Sequence, residues 1–257
     1  MAFRNQKATR AAMVMVLSLT SAPAAQSSLR YHVRHKHWLG SGAGVLQIDE
    51  RAISYQELGK KKGEASEQLH HAMWNYDEIQ QLYVSTKRLI ILTYKDRKWL
   101  LGADEKYEFG LSDGQSFEPV YVLLKDKLDR RLVAAIVDPD PGALWWEVPA
   151  KLLGRIQGSE GVLEAGAGRI IYKTQQVDQS RTWRYEDIEN VSSTDPYHLT
   201  ITAYERAVMH FGSMRDFNFQ LKQPLDEVRF EMIWKRLNRS KGLQFLTSIN
   251  ERNRSRK

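Results

Sequence analysis

Histidine is the residue whose placement first suggests chemistry. His32, His35 and His37 lie close together, and His70 and His71 follow. An extended chain alternates its side chains between two faces, so His35 and His37 would share one face, a workable pair of imidazole ligands for zinc or copper. No Cys exists in the chain and no carboxylate adjoins the cluster. The reading preferred here is solvated strand histidines, with no metal and no cofactor.

Two carboxylate pairs are next, Asp77–Glu78 and Glu186–Asp187. Acid–base catalysis needs two carboxyl groups converging from different elements with separated pKa values. Both pairs instead follow a Trp-x-Tyr sequence, which favours a turn or strand edge. The glycines of Gly40–Gly44 lack the preceding strand and following helix of a dinucleotide site and are read as a flexible entry. Asp138 to Gly142 lacks the alternating ligands of a calcium loop. No Gly-x-Ser-x-Gly, His-Glu-x-x-His or Walker pattern occurs. The expectation is a protein that is not an enzyme.

Charge gives a different lead. The 257 residues hold 38 Lys and Arg against 31 Asp and Glu, a formal charge of +7. Residues 1–24 contribute Arg4, Lys7 and Arg10 with no acid, and 251–257 contribute Arg252, Arg254, Arg256 and Lys257 against Glu251. That leaves 31 basic and 30 acidic residues in the body, which removes most of the case for nucleic acid. Residues 1–24 read as a secretory signal: a basic start, a short apolar stretch and Ala22-Pro23-Ala24, with cleavage after Ala24 or Ala25. An uncleaved signal-anchor is the alternative. A periplasmic or secreted location is expected. Lys60, Lys61 and Lys62, with the basic tail, are the candidate contacts for an anionic surface. If they bind one, flotation with anionic vesicles should weaken with salt and on deletion of the tail.

The rest of the chain reads as one unit written twice. Gly44-Val45-Leu46 returns as Gly161-Val162-Leu163, and Ile53 and Tyr55 as Ile170 and Tyr172. Trp74, Tyr76 and Ile79 return as Trp183, Tyr185 and Ile188, and Leu89, Ile91 and Tyr94 as Leu199, Ile201 and Tyr204. Tyr107, Phe109 and Leu111 return as Phe217, Phe219 and Leu221. Short apolar runs predict about seven strands per unit, including Val45–Ile48 and Ala52–Tyr55 as a hairpin, and Trp99–Leu101. A helical stripe then follows: Phe117, Val120, Tyr121, Leu124, Leu128 and Leu132 in the first unit. In the second it is Leu225, Val228, Met232, Ile233 and Leu237, with Pro224 in the first turn.

Gly-Val-Leu, Ile-x-Tyr, Trp-x-Tyr-acid-acid-Ile and a closing helix together resemble the pleckstrin-homology superfold, specifically bacterial PH-like and GRAM-type domains. Trp234 resembles the aromatic that such helices turn inward. The resemblance implies a mainly β fold with α, two consecutive PH-like barrels, each of about seven antiparallel strands capped by a C-terminal amphipathic helix. The boundaries expected are a signal at 1–24, a first domain at 31–136, a linker at 137–149, a second domain at 150–249 and a basic tail at 250–257. The basic hairpin of inositol-lipid binders is absent, since that loop is Asp49–Arg51 in one unit and 165–169 in the other. Trp145 and Trp146 are too apolar for a free tether; they either pack against the barrels or form a partner patch. The function expected is protein–protein binding or scaffolding in the cell envelope. An anionic membrane surface or envelope polymer is the alternative, and metal binding through His32, His35 and His37 the third reading.

Overall fold

The computed structural model describes residues 28–37, 40–58, 71–96, 104–112, 114–140, 142–154, 158–206 and 214–241. It is mainly β with two helices. The first stretch is β1 (Leu29–His37), β2 (Gly40–Ile48), β3 (Ala52–Glu57), β4 (His71–Asn75), β5 (Ile79–Ser85), β6 (Arg88–Asp96), β7 (Asp104–Leu111) and α1 (Glu118–Leu124). β8 (Leu132–Ala135) follows. The second stretch is β9 (Leu144–Leu152), β10 (Ser159–Gly166), β11 (Arg169–Thr174), β12 (Arg181–Arg184), β13 (Ile188–Asp195), β14 (His198–Ala203), β15 (Arg215–Leu221) and α2 (Glu227–Ser240).

These strands form one open hydrogen-bonded sheet in the order 13-14-15-9-10-11-12-8-5-6-7-1-2-3-4. The stretch β1–β7 pairs as 4-3-2-1-7-6-5, and β9–β15 pairs as 12-11-10-9-15-14-13, the same order shifted by eight. β8 joins the two, parallel to β5 and antiparallel to β12. Each stretch has its own buried cluster. One centres on Leu46, Ile53, Leu82, Ile91, Phe109 and Phe117, the other on Val148, Leu163, Ile170, Ile201, Phe219 and Ile233.

The paired motifs have local causes. In β2, a Cβ on Gly44 would lie 2.2 Å from the Tyr55 ring, and in β10 a Cβ on Gly161 would lie 2.0 Å from the Lys173 carbonyl oxygen and 3.0 Å from the Tyr172 ring. The tyrosine of Ile-x-Tyr thus lies against the bare backbone of the glycine, a contact any side chain would block. Trp74 and Trp183 are core residues. The next aromatic ties a three-residue 3-10 turn to the preceding hairpin: the Tyr76 hydroxyl donates to the Asp49 carbonyl at 2.6 Å and the Tyr185 hydroxyl to the Gly166 carbonyl at 2.9 Å. The acids then close the turn. The backbone N–H of Asn75 donates to Glu78 at 3.0 Å, and that of Arg184 to Asp187 at 2.9 Å. Burial raises the Asp187 carboxyl above its usual range against the pull of Arg184.

Several expectations need correction. Gly40–Gly44 is part of β2 and pairs with β1, from Gly40 opposite His37 to Gly44 opposite Val33. The helical stripe over 117–132 stops early: α1 ends at Leu124, and Leu132 opens β8, whose four residues are all buried in the sheet. The stretch 137–149 is not a tether throughout, since Leu144 onward is strand β9, paired with β10 and β15. α2 starts after Asp226, whose carboxylate accepts the Arg229 N–H at 2.8 Å, so Pro224 precedes the helix. Ile233 and Leu237, one turn apart, are its buried residues; Trp234 is 38% exposed and Val228 is 71% exposed. Trp99–Leu101 lies outside the described residues.

Candidate functional site

His32 and His35 lie on opposite faces of β1. In β1, Tyr31, Val33 and His35 face inward while His32 is exposed on the other face. The His35 ring stacks 4.9 Å from Phe109 and sits 5.3 Å from Tyr55. Its place in the second stretch is taken by Leu152: Val33 opposes Gly44 as Ala150 opposes Gly161, two residues before each. His35 is therefore core packing. His37 closes β1. Among the described residues no group of three or more His, Asp and Glu side chains is arranged to hold a metal ion.

The tryptophan pair is divided by strand alternation. Trp146 is buried, and its indole N–H donates to the Arg229 carbonyl at 3.2 Å, fixing β9 to α2. Trp145 is half-buried, its ring centroid 6.3 Å from Tyr185. Trp146 thus cannot belong to an exposed partner patch. Lys60, Lys61, Lys62, Arg252, Arg254, Arg256 and Lys257 lie outside the described residues, as does the segment 1–24. No described helix is long and apolar enough to cross a membrane.

A concave site does form where β9 ends, β15 begins and the β11–β12 loop passes. It is a cavity of about 200 Å³. Leu152, Leu153 and Phe217 give it apolar lining, Arg181, Arg215, Asp178 and Asp216 give charge, and Gln179 adds an amide. Local backbone sets this up. Asp178 has φ of 62°, a left-handed conformation that Asp tolerates better than most residues, and it turns the loop back toward β12. Its carbonyl accepts from Arg181 at 2.7 Å.

The arginines are anchored from behind. Arg181 bonds Glu205 through Nε at 3.1 Å and Nη2 at 3.2 Å, and Arg215 reaches the same carboxylate at 2.7 Å. The side chains of Arg181 and Glu205 are 5% and 6% exposed, while that of Arg215 is 39% exposed. The Arg215 guanidinium lies 4.8 Å from the centroid of the Phe217 ring, over its face. Burial disfavours charge on Arg181, and Glu205 with the Tyr83 hydroxyl outweighs it, so the guanidinium is held firmly protonated.

The cavity also touches the join between the two stretches. Asp178 accepts from Arg88 of β6 at 2.6 Å and Tyr83 of β5 donates to its carbonyl at 3.3 Å. Arg88 lies 3.9 Å from Glu108, which Lys36 and Lys106 hold at 2.7 and 3.2 Å. Burial pushes the Glu108 carboxyl up, and the two lysines outweigh it and hold it below its usual value of 4.5. A depressed carboxyl contributes stability above its unfolded pKa and loses it as pH falls through the folded one. Glu108→Gln should therefore lower the melting temperature at pH 7, with the gap from wild type closing below pH ~4.5; a gap independent of pH would overturn this.

None of the residues around this cavity stands out in the sequence. Arg181, Arg215, Glu205 and Asp178 are isolated charges with no motif, and only the register of β12 and β15 brings them together. A second cavity, at the join, holds about 10 Å³, space for at most one water.

No protein-family model matches the chain, and no curated protein matches it. Among solved structures, a chain of one titled "Structure of the Spt16D Pob3N heterodimer" aligns over 77% of this chain and 98% of its own, with 13% identity and a TM-score of 0.28.

Proposed function

We propose that the chain is an exported, non-enzymatic binding or scaffold protein built from two PH-like barrels, and that its work is protein–protein contact. The identical strand order of β1–β7 and β9–β15, the separate cores and the repeated Gly–Tyr and Trp-x-Tyr contacts support the duplicated unit. Export rests on the signal-like character of residues 1–24. The observation that carries the contact reading is the cavity at β9, β15 and the β11–β12 loop. There a partly exposed guanidinium, fixed on an aromatic face and a buried carboxylate, stands beside apolar side chains. An aromatic-backed arginine with apolar neighbours is the composition of a binding hot spot. Its volume of about 200 Å³ suits one side chain of a partner better than a cofactor, since small-molecule sites run to roughly 300–1,000 Å³.

The test places a photo-crosslinking residue at Gln179 of the full chain, and a control at exposed Gln220 on the outward face of β15. Irradiation in the exporting cells should give one reproducible protein adduct from position 179 and none from 220. No adduct from 179, or equal adducts from both, overturns the site.

A further inference from the structure

We infer that the group this cavity accepts is a carboxylate on an acidic side chain of a partner polypeptide, an assignment that rests on the protein-contact reading and deepens it. The charge of the site calls for an anion. Three guanidiniums, Arg88, Arg181 and Arg215, meet two carboxylates, Asp178 and Glu205. Glu205 serves both Arg181 and Arg215, and Asp178 is engaged by Arg88. One positive charge is left over. Asp216, which also lines the cavity, pairs with none of these arginines: it is exposed on the outward face of β15, where its carboxylate accepts from Thr202 at 2.6 Å.

Arg88 takes Asp178, so the surplus lies on the two arginines that share Glu205, and of these Arg215 is the one solvent reaches, its side chain 39% exposed against 5% for Arg181. Arg215 gives Nη1 to Glu205, and its central guanidinium carbon lies over the Phe217 ring, 4.8 Å from the centroid. A guanidinium already fixed loses little freedom on pairing, and its planar fork matches a carboxylate. Leu152, Leu153 and Phe217 favour a ligand with an apolar body beside its charge, which an acidic side chain on a polypeptide supplies and a bare anion does not.

The probe is an acetylated and amidated four-residue peptide of alternating glutamate and leucine, titrated into the full chain and followed by NMR. Saturable shifts are expected at the Leu153 and Gln179 amides and the Arg215 Nε–H. They should weaken about tenfold or more when glutamine replaces glutamate in the peptide, and in Arg215→Gln, which leaves Glu205 still paired with Arg181. Leu153→Glu, which sets a like charge in the lining without touching the ion pairs, should weaken them similarly. Lys222→Gln, at the far end of β15, should change nothing. Absence of saturation at millimolar peptide, equal binding of the glutamine peptide, or equal binding by free glutamate or inorganic phosphate overturns the inference. If the adduct at position 179 persists at full yield in Arg215→Gln, the carboxylate assignment fails while the protein contact stands. If wild type gives no adduct, the protein contact itself fails.

Discussion

Gly161→Val is expected to be among the most damaging single substitutions in the chain. A Cβ there would sit 2.0 Å from the carbonyl oxygen of Lys173 and 3.0 Å from the carbon beyond it. The obstacle is backbone in the adjacent strand, so no rotamer change relieves it. β10 and β11 must separate, and Tyr172 must leave its place, where its hydroxyl donates to the Ser159 carbonyl at 2.6 Å. Overpacking a core costs about 1–3 kcal/mol and sometimes more. Here the lost strand pairing adds to it, so a loss above ~3 kcal/mol is expected from a total of roughly 5–15 kcal/mol. Gly44→Val should behave alike in the first stretch, because the ring of Tyr55 and the carbonyl of Gln56 lie 2.2 and 2.6 Å from the built Cβ. Gly110→Ala is the control: it lies in β7 with open space around its Cβ and should cost nothing or gain a few tenths of a kcal/mol. Urea denaturation of the three variants checks this, and a Gly161→Val midpoint equal to that of Gly110→Ala would refute it.

That prediction also explains what made the fold readable. The glycine sits at a close backbone approach and the tyrosine and tryptophan are buried in both stretches, so these types stand at matching positions of the two strand orders. Periodicity placed the hairpin of β2 and β3 around Asp49, where the carboxylate itself accepts the Arg51 and Ala52 N–H groups at 2.8 and 3.0 Å. It misplaced Leu132 because an apolar residue at helical spacing also suits a buried strand. Only the empty position between β5 and β12 decides which it becomes. Trp234 and Val228 are exposed for a related reason. A stripe of apolar residues wider than the contact leaves its margins exposed, and the contact centres on Ile233 and Leu237.

The site was hidden for a different reason. Histidine clusters and lysine runs draw the eye because neighbours in sequence suggest neighbours in space. The charges that do meet there are far apart along the chain: Arg88 with Asp178, and Arg181 with Glu205. Pairs at such separations are set by strand register, and register follows from the whole sheet. A buried arginine also carries no local pattern, since its partners satisfy it from other strands. Asp138 shows the same limit, read from sequence only as a poor calcium ligand in a proline-rich turn.

Asp138→Ala should loosen the join between the two stretches. The Asp138 side chain is 0% exposed and is the common acceptor for both sides. From α1, the Tyr121 hydroxyl donates to it at 2.5 Å and Lys125 lies at 3.4 Å; from β11, Arg169 pairs with it. Its own N–H donates to Thr182 of β12 at 3.0 Å, and that hydroxyl donates to the Ile136 carbonyl at 2.7 Å. Removing the carboxylate leaves Lys125 and Arg169, each no more than about one-fifth exposed, without their shared counter-charge. Breaking one side of a buried ion pair costs about 3–5 kcal/mol, more than the pair contributes over apolar replacements, because a desolvated charge is stranded. The loss should therefore shrink if the stranded cations go too. Asp138→Ala combined with Lys125→Met and Arg169→Met should recover part of the stability lost in the single variant, although more contacts are deleted. Because β8 bridges Thr182 to Ala134 at one position alone, the polar cluster carries much of the coupling. The single variant should then unfold in two steps, resolved by tryptophan fluorescence of Trp74 and of Trp146 with Trp183 in variants retaining one set. Coincident transitions in Asp138→Ala, or no recovery in the triple variant, would show that the strands rather than the buried charges hold the two stretches together.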